Sequence, residues 1–404
     1  MTSTVDDSLA FNLLDPALHA DPYPAYARMR TEHPVHFDAQ VGLWWLFRYA
    51  DCEEALRSPK LGSPWGTPEA IAGRLGDGPA SLYVRNTMLA QNPPVHTRLR
   101  GAVAKAFTPG AVEAMRPRVT EKINRLLDEV TAGGRSEFDL ANEVAYRIPI
   151  SVVCEMLGVP AEHHDRFRSL IEENAAVIEP MPTPEQVAMA DKASGQLMDF
   201  VSALAAERRV EPQDDLLSAL VSVQGDGTAL SDIELVANVS LLIAAGFCST
   251  MQLIGNTVYL LLRHPEQLAL VRSDPSRIPA AIEESLRFEP PVMMWPRSTI
   301  EDVSFGGRHI PAGSPLVTVL GSANRDETVH ERADEFDITR PSSRHLTFGG
   351  AIHYCLGAPL ARMESAIAVQ TILARFPDLR LATDTVEWLD NNTVRGLKEL
   401  PVAV

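Results

Sequence analysis

From Leu235 to Leu262 the chain carries no Asp, Glu, Lys or Arg. A helix of that length must be shielded from water either by lipid or by a large amount of protein. Its polar residues decide between the two. Asn238, Ser240, Ser249, Thr250, Gln252, Asn256 and Thr257, with Gly246 and Gly255, are scattered round every side of the helix. Ser231 and Glu234 form the Ser-x-x-Glu capping box of a helix that starts in water. Aromatic belts and basic loops do not flank the run. It reads as a helix buried on all sides through the centre of a large protein, with no membrane partner.

A chain of 404 residues, 45% hydrophobic, can supply the core such a helix needs. A net charge of −17 excludes a nucleic-acid partner held mainly through phosphates. Cys52, Cys154, Cys248 and Cys355 lie far apart and form no Cys-x-x-Cys pair, which fits a reducing cytoplasm. The first thirty residues carry acids and prolines and lack a signal-peptide core. The expected location is cytoplasmic.

Apolar residues at three- and four-residue spacing predict helix through most of the chain, for example in "IPISVVCEMLGV", "IPAAIEESLRF" and "LARMESAIAVQTILARF". Strand-like runs cluster in "PVHFDAQVGLWWLFR" and between Thr299 and Leu320, where "GGRHIPAGSPLVTVLG" reads as a hairpin. Pro/Gly-rich connections run from Ser58 to Pro94, Glu179 to Pro184 and Arg340 to Pro359; the first is long enough to be functional. The expected fold is mostly α with a small β-sheet region, in a single domain over 1–404 with residues 1–20 as an N-terminal extension.

Phosphate loops, His-Glu-x-x-His and Gly-x-Ser-x-Gly are absent. The informative segment is "FGGAIHYCLGAPLARME", Phe348 to Glu364. Cys355 stands in a glycine-rich loop, with Gly357 just past it and a helix beginning near Ala358. Loop N–H groups and the positive helix end can stabilise a thiolate, as an axial ligand to heme iron requires. Taken alone, Cys355 is better read as a buried cysteine at an ordinary loop-to-helix junction. Further elements accompany it. Glu284 and Arg287 in "EESLR" are three apart on one helix face and can form a bidentate pair. "ADEFDITRP" supplies Arg340, and "NPPVHTRLR" puts His96 and Arg100 one turn apart, as anionic propionates would need.

This combination resembles the cytochrome P450 superfamily, its soluble bacterial members in particular, from about Asp21 to the "RGLKELPV" near the C-terminus. The family pattern Phe-x-x-Gly-x-His/Arg-x-Cys-x-Gly is matched by Phe348, His353, Cys355 and Gly357. The resemblance implies a triangular helical domain with heme b between the long central helix and the cysteine loop. It also implies Cys355 as the axial iron ligand and Glu284, Arg287 and Arg340 as a salt-bridge triad under the heme. His96, Arg100, Arg297 and His353 are implied as propionate partners. One position departs: Ala351 stands where the family usually has glycine. If that position needs φ > 0, alanine costs on the order of 1 kcal/mol.

The family's distal motif, Ala-Gly-x-Asp/Glu-Thr-Thr, corresponds to Ala245, Gly246, Phe247, Cys248, Ser249 and Thr250. The run is then the wall of a catalytic site. Gly246 is expected to open room above the iron, and Leu242, Ala245, Gly246, Ser249 and Leu253 to face the heme. The acid–alcohol pair that carries protons inward in the family is here Cys248–Ser249. Two readings stay open. Cys248 is a packing residue in a normal hydroxylase, or the reaction depends less on enzyme-delivered protons and ends in coupling, desaturation or another non-hydroxylating oxidation. A catalytically silent helper is the rival class.

Trp65, Tyr83, Met88, Leu89, Phe247, Met293, Met294 and Trp295 are candidate pocket lining for a hydrophobic or aromatic small molecule, with Asn391 and Asn392 as polar anchors. The resemblance also implies a monomer taking electrons from a ferredoxin and its reductase, or a flavin protein. Arg100, Lys105, Arg344 and Arg362 are the candidate docking patch.

Overall fold

The computed structural model describes Phe11, Leu13 and residues 15–63, 67–222 and 229–404, apart from the side chains at 175 and 176. The charge-free run lies within one helix, Asp232–Arg263. Its start is the expected box: the Glu234 N–H donates to Ser231 Oγ at 3.4 Å, and the Ser231 N–H donates to Glu234 Oε2 at 2.9 Å. It is the one helix among the described residues long and apolar enough to cross a membrane, yet protein covers most of it. Helices Arg147–Leu157, Pro184–Val210, Ile278–Phe288 and Ala358–Arg375 all pack against it.

The polar residues in the run are fasteners. Asn238 Oδ1 accepts from the Met88 N–H at 2.8 Å, and its Nδ2 donates to Asn86 O at 2.9 Å. Asn256 Nδ2 donates to Glu289 O at 3.2 Å and Arg395 O at 3.1 Å. Both asparagines are fully buried. Each bond contributes about 1 kcal/mol net, but leaving such a group unpaired costs about 1–3 kcal/mol. The central helix therefore selects where the loop after Arg85 and the C-terminal loop can sit.

A five-stranded sheet stands beside the helices in the order Val35–Asp38, Leu43–Leu46, Pro315–Thr318, Trp295–Thr299, Leu61–Gly62. The first two strands form the expected antiparallel pair, Val35 opposite Leu46. The second expected hairpin does not form. Pro315–Thr318 pairs antiparallel with Trp295–Ser298 and parallel with Trp44–Leu46, while Arg308–Ile310 pairs back on Val303–Phe305. Leu316 and Val317 point to opposite faces of the sheet and are buried in two separate apolar clusters, which a strand paired on both edges allows and a local hairpin would not supply. A third sheet joins Glu137–Asp139, Pro401–Ala403 and Arg380–Leu381.

The connection from Ser58 to Pro94 is not structureless. It holds helices Pro68–Leu75 and Pro79–Arg85 and a turn at Met88–Ala90. Most of the expected N-terminal extension lies outside the described residues. Its described part docks onto the core: Phe11 is 4% exposed and meets the Trp45 and Phe47 rings edge-on.

Candidate active site

The loop before helix Ala358–Arg375 is folded by left-handed residues. Gly349 has φ 70° and Ala351 φ 50°. The conditional cost for alanine therefore applies, on the order of 1–2 kcal/mol. The Cys355 N–H closes the loop by donating to Phe348 O at 2.8 Å. Burial raises the Cys355 thiol, and the Gly357 N–H, the Arg100 charge and the Ala358 N–H oppose that rise by stabilising the thiolate. Cys355 nonetheless retains open surface.

Beneath the loop lies the carboxylate–guanidinium triad. Arg287 Nη2 and Nε donate to the two Glu284 oxygens at 2.7 and 2.9 Å, and Arg340 Nε donates to Glu284 Oε1 at 2.9 Å. Ser343 Oγ and the Asp337 N–H each add a bond to Glu284 at 3.0 Å. Arg287 Nη1 holds Asn324 O and Ala333 O at 3.0 and 2.8 Å. Glu284 and Arg287 are fully buried. The geometry ties helix Ile278–Phe288 to the 324–343 segment that leads into the cysteine loop.

A second cluster gathers cationic and imidazole groups without a carboxylate. Arg297, on strand Trp295–Thr299, is 2% exposed, and among the described residues its guanidinium bonds only Pro296 O, at 3.3 Å. His96 and His353 stack edge-to-face with centroids 4.5 Å apart, and Nδ1 of the first and Nε2 of the second are buried without a partner. Arg100 Nη2 donates to Tyr354 O at 2.8 Å, which places it at the cysteine loop. Burial, then the Arg297 charge, then His96 and Arg100, push His353 down to about 3; burial, Arg100 and Arg297 lower His96. Burial brings Arg297 down to about 10.

In the middle of the central helix Ala245 is exposed and Ala244, Cys248 and Ser249 are half-buried, although Leu241–Ile243 and Thr250–Val258 are buried. An opening confined to the middle of the most buried helix marks an internal cleft wall.

The Cytochrome P450 family model matches residues 80–278 and 277–397. Cytochrome P450 107B1 of Saccharopolyspora erythraea is 44% identical over 99% of this chain and 98% of its own length. The chain is a cytochrome P450. The 6-deoxyerythronolide B hydroxylase of the same organism is 38% identical, with 96% of each chain covered. The ligand-free crystal structure of Mycobacterium smegmatis CYP164A2 superposes with a TM-score of 0.89 at 37% identity, covering 98% of this chain and 100% of that one. This P450 is a monooxygenase, and its cofactor is heme b.

The residues present fit that group. Among the described residues, two unpartnered buried imidazole nitrogens and a buried guanidinium without a carboxylate ask for an anion, which heme propionates would supply. A thiolate-stabilising loop adjoins that cluster, where Arg100 bonds Tyr354 O.

Several sequence expectations are corrected. A Cβ on Gly246 would meet Val153 Cγ2 at 3.2 Å, so this glycine admits helix Arg147–Leu157 rather than opening the heme side. Phe247 is 1% exposed and packs edge-on against Tyr146 at 5.1 Å, away from any pocket. Leu253, 1% exposed, belongs to the core, so the open face is short. Met293 and Met294 pack with Phe11, Tyr26 and Trp45 behind the sheet, and Tyr83 is core as well. Met88 is buried, whereas Leu89 and Trp295 are half-buried. Asn391 Oδ1 accepts from the Thr393 and Val394 N–H groups at 2.9 and 2.6 Å and builds a turn; Asn392 bonds Glu179. Neither is a free anchor. Trp65 lies outside the described residues. Of the docking patch, Arg362 is paired with Glu283 at 2.6 Å and Arg344 with Glu53 at 3.6 Å. Lys105 is exposed.

Cys248 holds its proton: burial, then the Glu172 charge, raise its thiol to about 12. Ser249 Oγ makes one long bond, 3.4 Å to Ala245 O. One buried acid escaped notice in the sequence. Glu364 is 2% exposed in helix Ala358–Arg375 and has neither cation nor hydrogen-bond donor among the described residues. Burial pushes it up to about 8. The signal was present, since Glu364 shares a helix face with Leu360 and Ile367.

Proposed function

We propose that this P450 oxidises a hydrophobic small molecule of secondary metabolism in the cytoplasm, as a single-domain monomer supplied with electrons by a ferredoxin and its reductase. Cys355 is the iron ligand, and His96, Arg100, Arg297 and His353 hold the propionates. The observation that carries the assignment is the carboxylate-free cluster beside the cysteine loop. The relative named 6-deoxyerythronolide B hydroxylase supports a macrolide-like substrate class.

Bound heme supplies dioxygen activation and one-electron oxidation. The chain's own groups do the rest. The Gly357 and Ala358 N–H groups stabilise charge on Cys355 Sγ. The Glu284–Arg287–Arg340 network holds the cysteine loop's approach rigid. Leu89, Ala244, Ala245 and Trp295 offer apolar surface that orients substrate and excludes water. Ser249 Oγ, held only by a long bond, is free to turn and donate its proton into the cleft.

A thiol at about 12 cannot relay protons near neutrality, and this favours a second reading. In it, the substrate completes the proton path or the outcome is coupling or desaturation. Labelled dioxygen separates the two: label in the product means oxygen insertion, and its absence means coupling or desaturation. The family assignment of the ligand is tested spectroscopically. The reduced, carbon-monoxide-treated protein should show the red-shifted Soret band of thiolate-ligated heme, and Cys355→Ser should abolish it. A colourless protein from heme-supplemented expression, or a thiolate band retained in Cys355→Ser, overturns the assignment.

A further inference from the structure

The C-terminal end of the central helix forms one side of a recess. Its other sides are the segment 20–23, the end of helix Ile278–Phe288 and the positions Arg325, Trp388 and Arg395. At 1.5 Å per residue, Tyr259 stands about 15 Å along the helix from Ser249, and Arg263 about 21 Å. The recess is thus separate from the open stretch around Ala245. Its cavity measures about 230 Å³. A cavity of about 150 Å³ is enough for benzene, so this one admits one or two fused rings with a small substituent. A macrolide is too large for it.

Two of the three arginines at the recess are used by the fold. Arg325 is held between the Tyr23 and Phe288 rings, 3.2 and 3.6 Å from their centroids, and its Nε and Nη2 donate to Phe288 O at 2.9 and 2.7 Å. Its charge is met by Asp334 at 3.6 Å. Arg395 lies 3.7 Å over the Trp388 ring and donates from Nε to Glu289 Oε1 at 2.9 Å. The same Glu289 oxygen accepts from Tyr23 OH at 2.7 Å, and Asp21 accepts from the Tyr23 N–H at 3.2 Å. Arg263 is different. It is exposed, and among the described residues its guanidinium has neither a carboxylate nor a hydrogen-bond acceptor. Burial raises the Tyr259 hydroxyl and the Arg263 charge opposes the rise, so the two polar groups are neighbours. The Tyr259 ring meets Trp388 edge-on at 5.8 Å. A helix C-terminus favours a cation such as Arg263, but that preference requires no aromatic recess around it.

We propose that this recess is a binding site for a small planar aromatic carboxylate, separate from the site of the iron ligand. The free Arg263 guanidinium takes the carboxylate through paired N–H groups, and the Tyr259 hydroxyl adds a third donor. The ligand ring lies against the Tyr259 and Trp388 rings, which are half-buried and carry few rotatable bonds. Both parts of the ligand are needed. An aromatic alcohol of the same shape forgoes the charge, and an aliphatic acid forgoes the flat contact.

The test is calorimetric titration of the holoenzyme with 2-naphthoate and with the neutral 2-naphthalenemethanol. Saturating 4-phenylimidazole occupies the iron throughout, and its Soret band shows that it stays there. The acid should bind saturably at one site, and the alcohol at least about tenfold more weakly. Arg263→Gln should weaken the acid by about tenfold or more, the effect of losing a charge-assisted pair, and leave the alcohol within about twofold. Tyr259→Phe, which keeps the ring, should weaken the acid by about threefold or more. Arg263 is exposed and free of ion pairs among the described residues, so its replacement leaves the fold intact. Absence of saturable heat up to about 10 mM acid overturns the site, since a Kd of even 1 mM would show there. Equal affinity in Arg263→Gln overturns it as well, as does loss of the 4-phenylimidazole band on adding the acid. The recess does not depend on the heme assignment, which fails separately if the chain lacks the thiolate–heme spectrum.

Discussion

Glu364→Gln should reverse its effect on stability between pH 5 and pH 9. In the folded chain the Glu364 carboxyl is buried, lacks a partner and is pushed up to about 8 from an ordinary 4.5. Between those values the unfolded chain has released the proton while the folded chain keeps it. The unfolded state then binds fewer protons, so stability falls as pH rises through this window. The span from 4.5 to about 8, at about 1.4 kcal/mol for each tenfold change in proton affinity, amounts to roughly 5 kcal/mol lost by pH 9. Glutamine cannot ionise, so the variant escapes that loss. It carries instead a pH-independent cost of about 1–3 kcal/mol for a buried amide without partners. The native chain should therefore be the more stable at pH 5 and the variant at pH 9. Urea unfolding of both proteins at intervals across that range measures the difference, in which all other titrating groups cancel. Parallel stability curves would show that Glu364 is ionised in the folded protein, and would refute the argument.

Arg287→Leu should cost about 3–5 kcal/mol and release heme, because it leaves Glu284 charged and buried with only part of its partners; unfolding and Soret retention report both effects. Ala351→Gly should stabilise the cysteine loop by about 0.5–1 kcal/mol, the left-handed strain at φ 50° less the extra flexibility of unfolded glycine, measured as slower heme transfer to apomyoglobin. If the native substrate completes the proton path, Ser249→Ala should slow turnover by less than about tenfold, and Cys248→Asp with Ser249→Thr should not raise product formed per reducing equivalent. Peroxide release by Ser249→Ala, cured by the restored pair, would show that Ser249 carries the protons.

What could be read without coordinates was chemistry confined to short segments. Glu284 and Arg287 share a helix turn, and Cys355 and the Gly357 N–H share a loop, so backbone spacing alone brings them together. Ser231 and Glu234 cap the central helix for the same reason. The errors lie where direction depends on a distant neighbour. Gly246 and Phe247 are assigned correctly to the central helix, but helix Arg147–Leu157 and Tyr146 determine which way they face. Met293 and Met294 read as pocket lining until Phe11 and Trp45 arrive from the other end of the chain. The false hairpin has the same origin, since Pro315–Thr318 finds better partners in strands remote in sequence.

That division bears on how the site works. The groups proposed to hold heme sit on regular elements joined by a buried ion-pair network: Glu284 and Arg287 on one helix with Arg340 from a later segment, a cysteine just before another helix, and a strand carrying Arg297. The loops beside them come from distant parts of the sequence and are fastened by single side chains, Asn238 at the loop after Arg85 and Asn256 at the C-terminal loop. A fastener worth about 1 kcal/mol can be exchanged without endangering a fold in which the heme-binding network is worth several times that. The arrangement of these loops can therefore change through Asn238, Asn256 and the residues they position, while Cys355 and its anion-seeking neighbours remain as they are. By the same reasoning the distal pair Cys248–Ser249 is a point where chemistry rather than stability differs. Cys248 is half-buried against the main apolar cluster, on a helix anchored elsewhere by its asparagines, so its replacement leaves that anchoring intact.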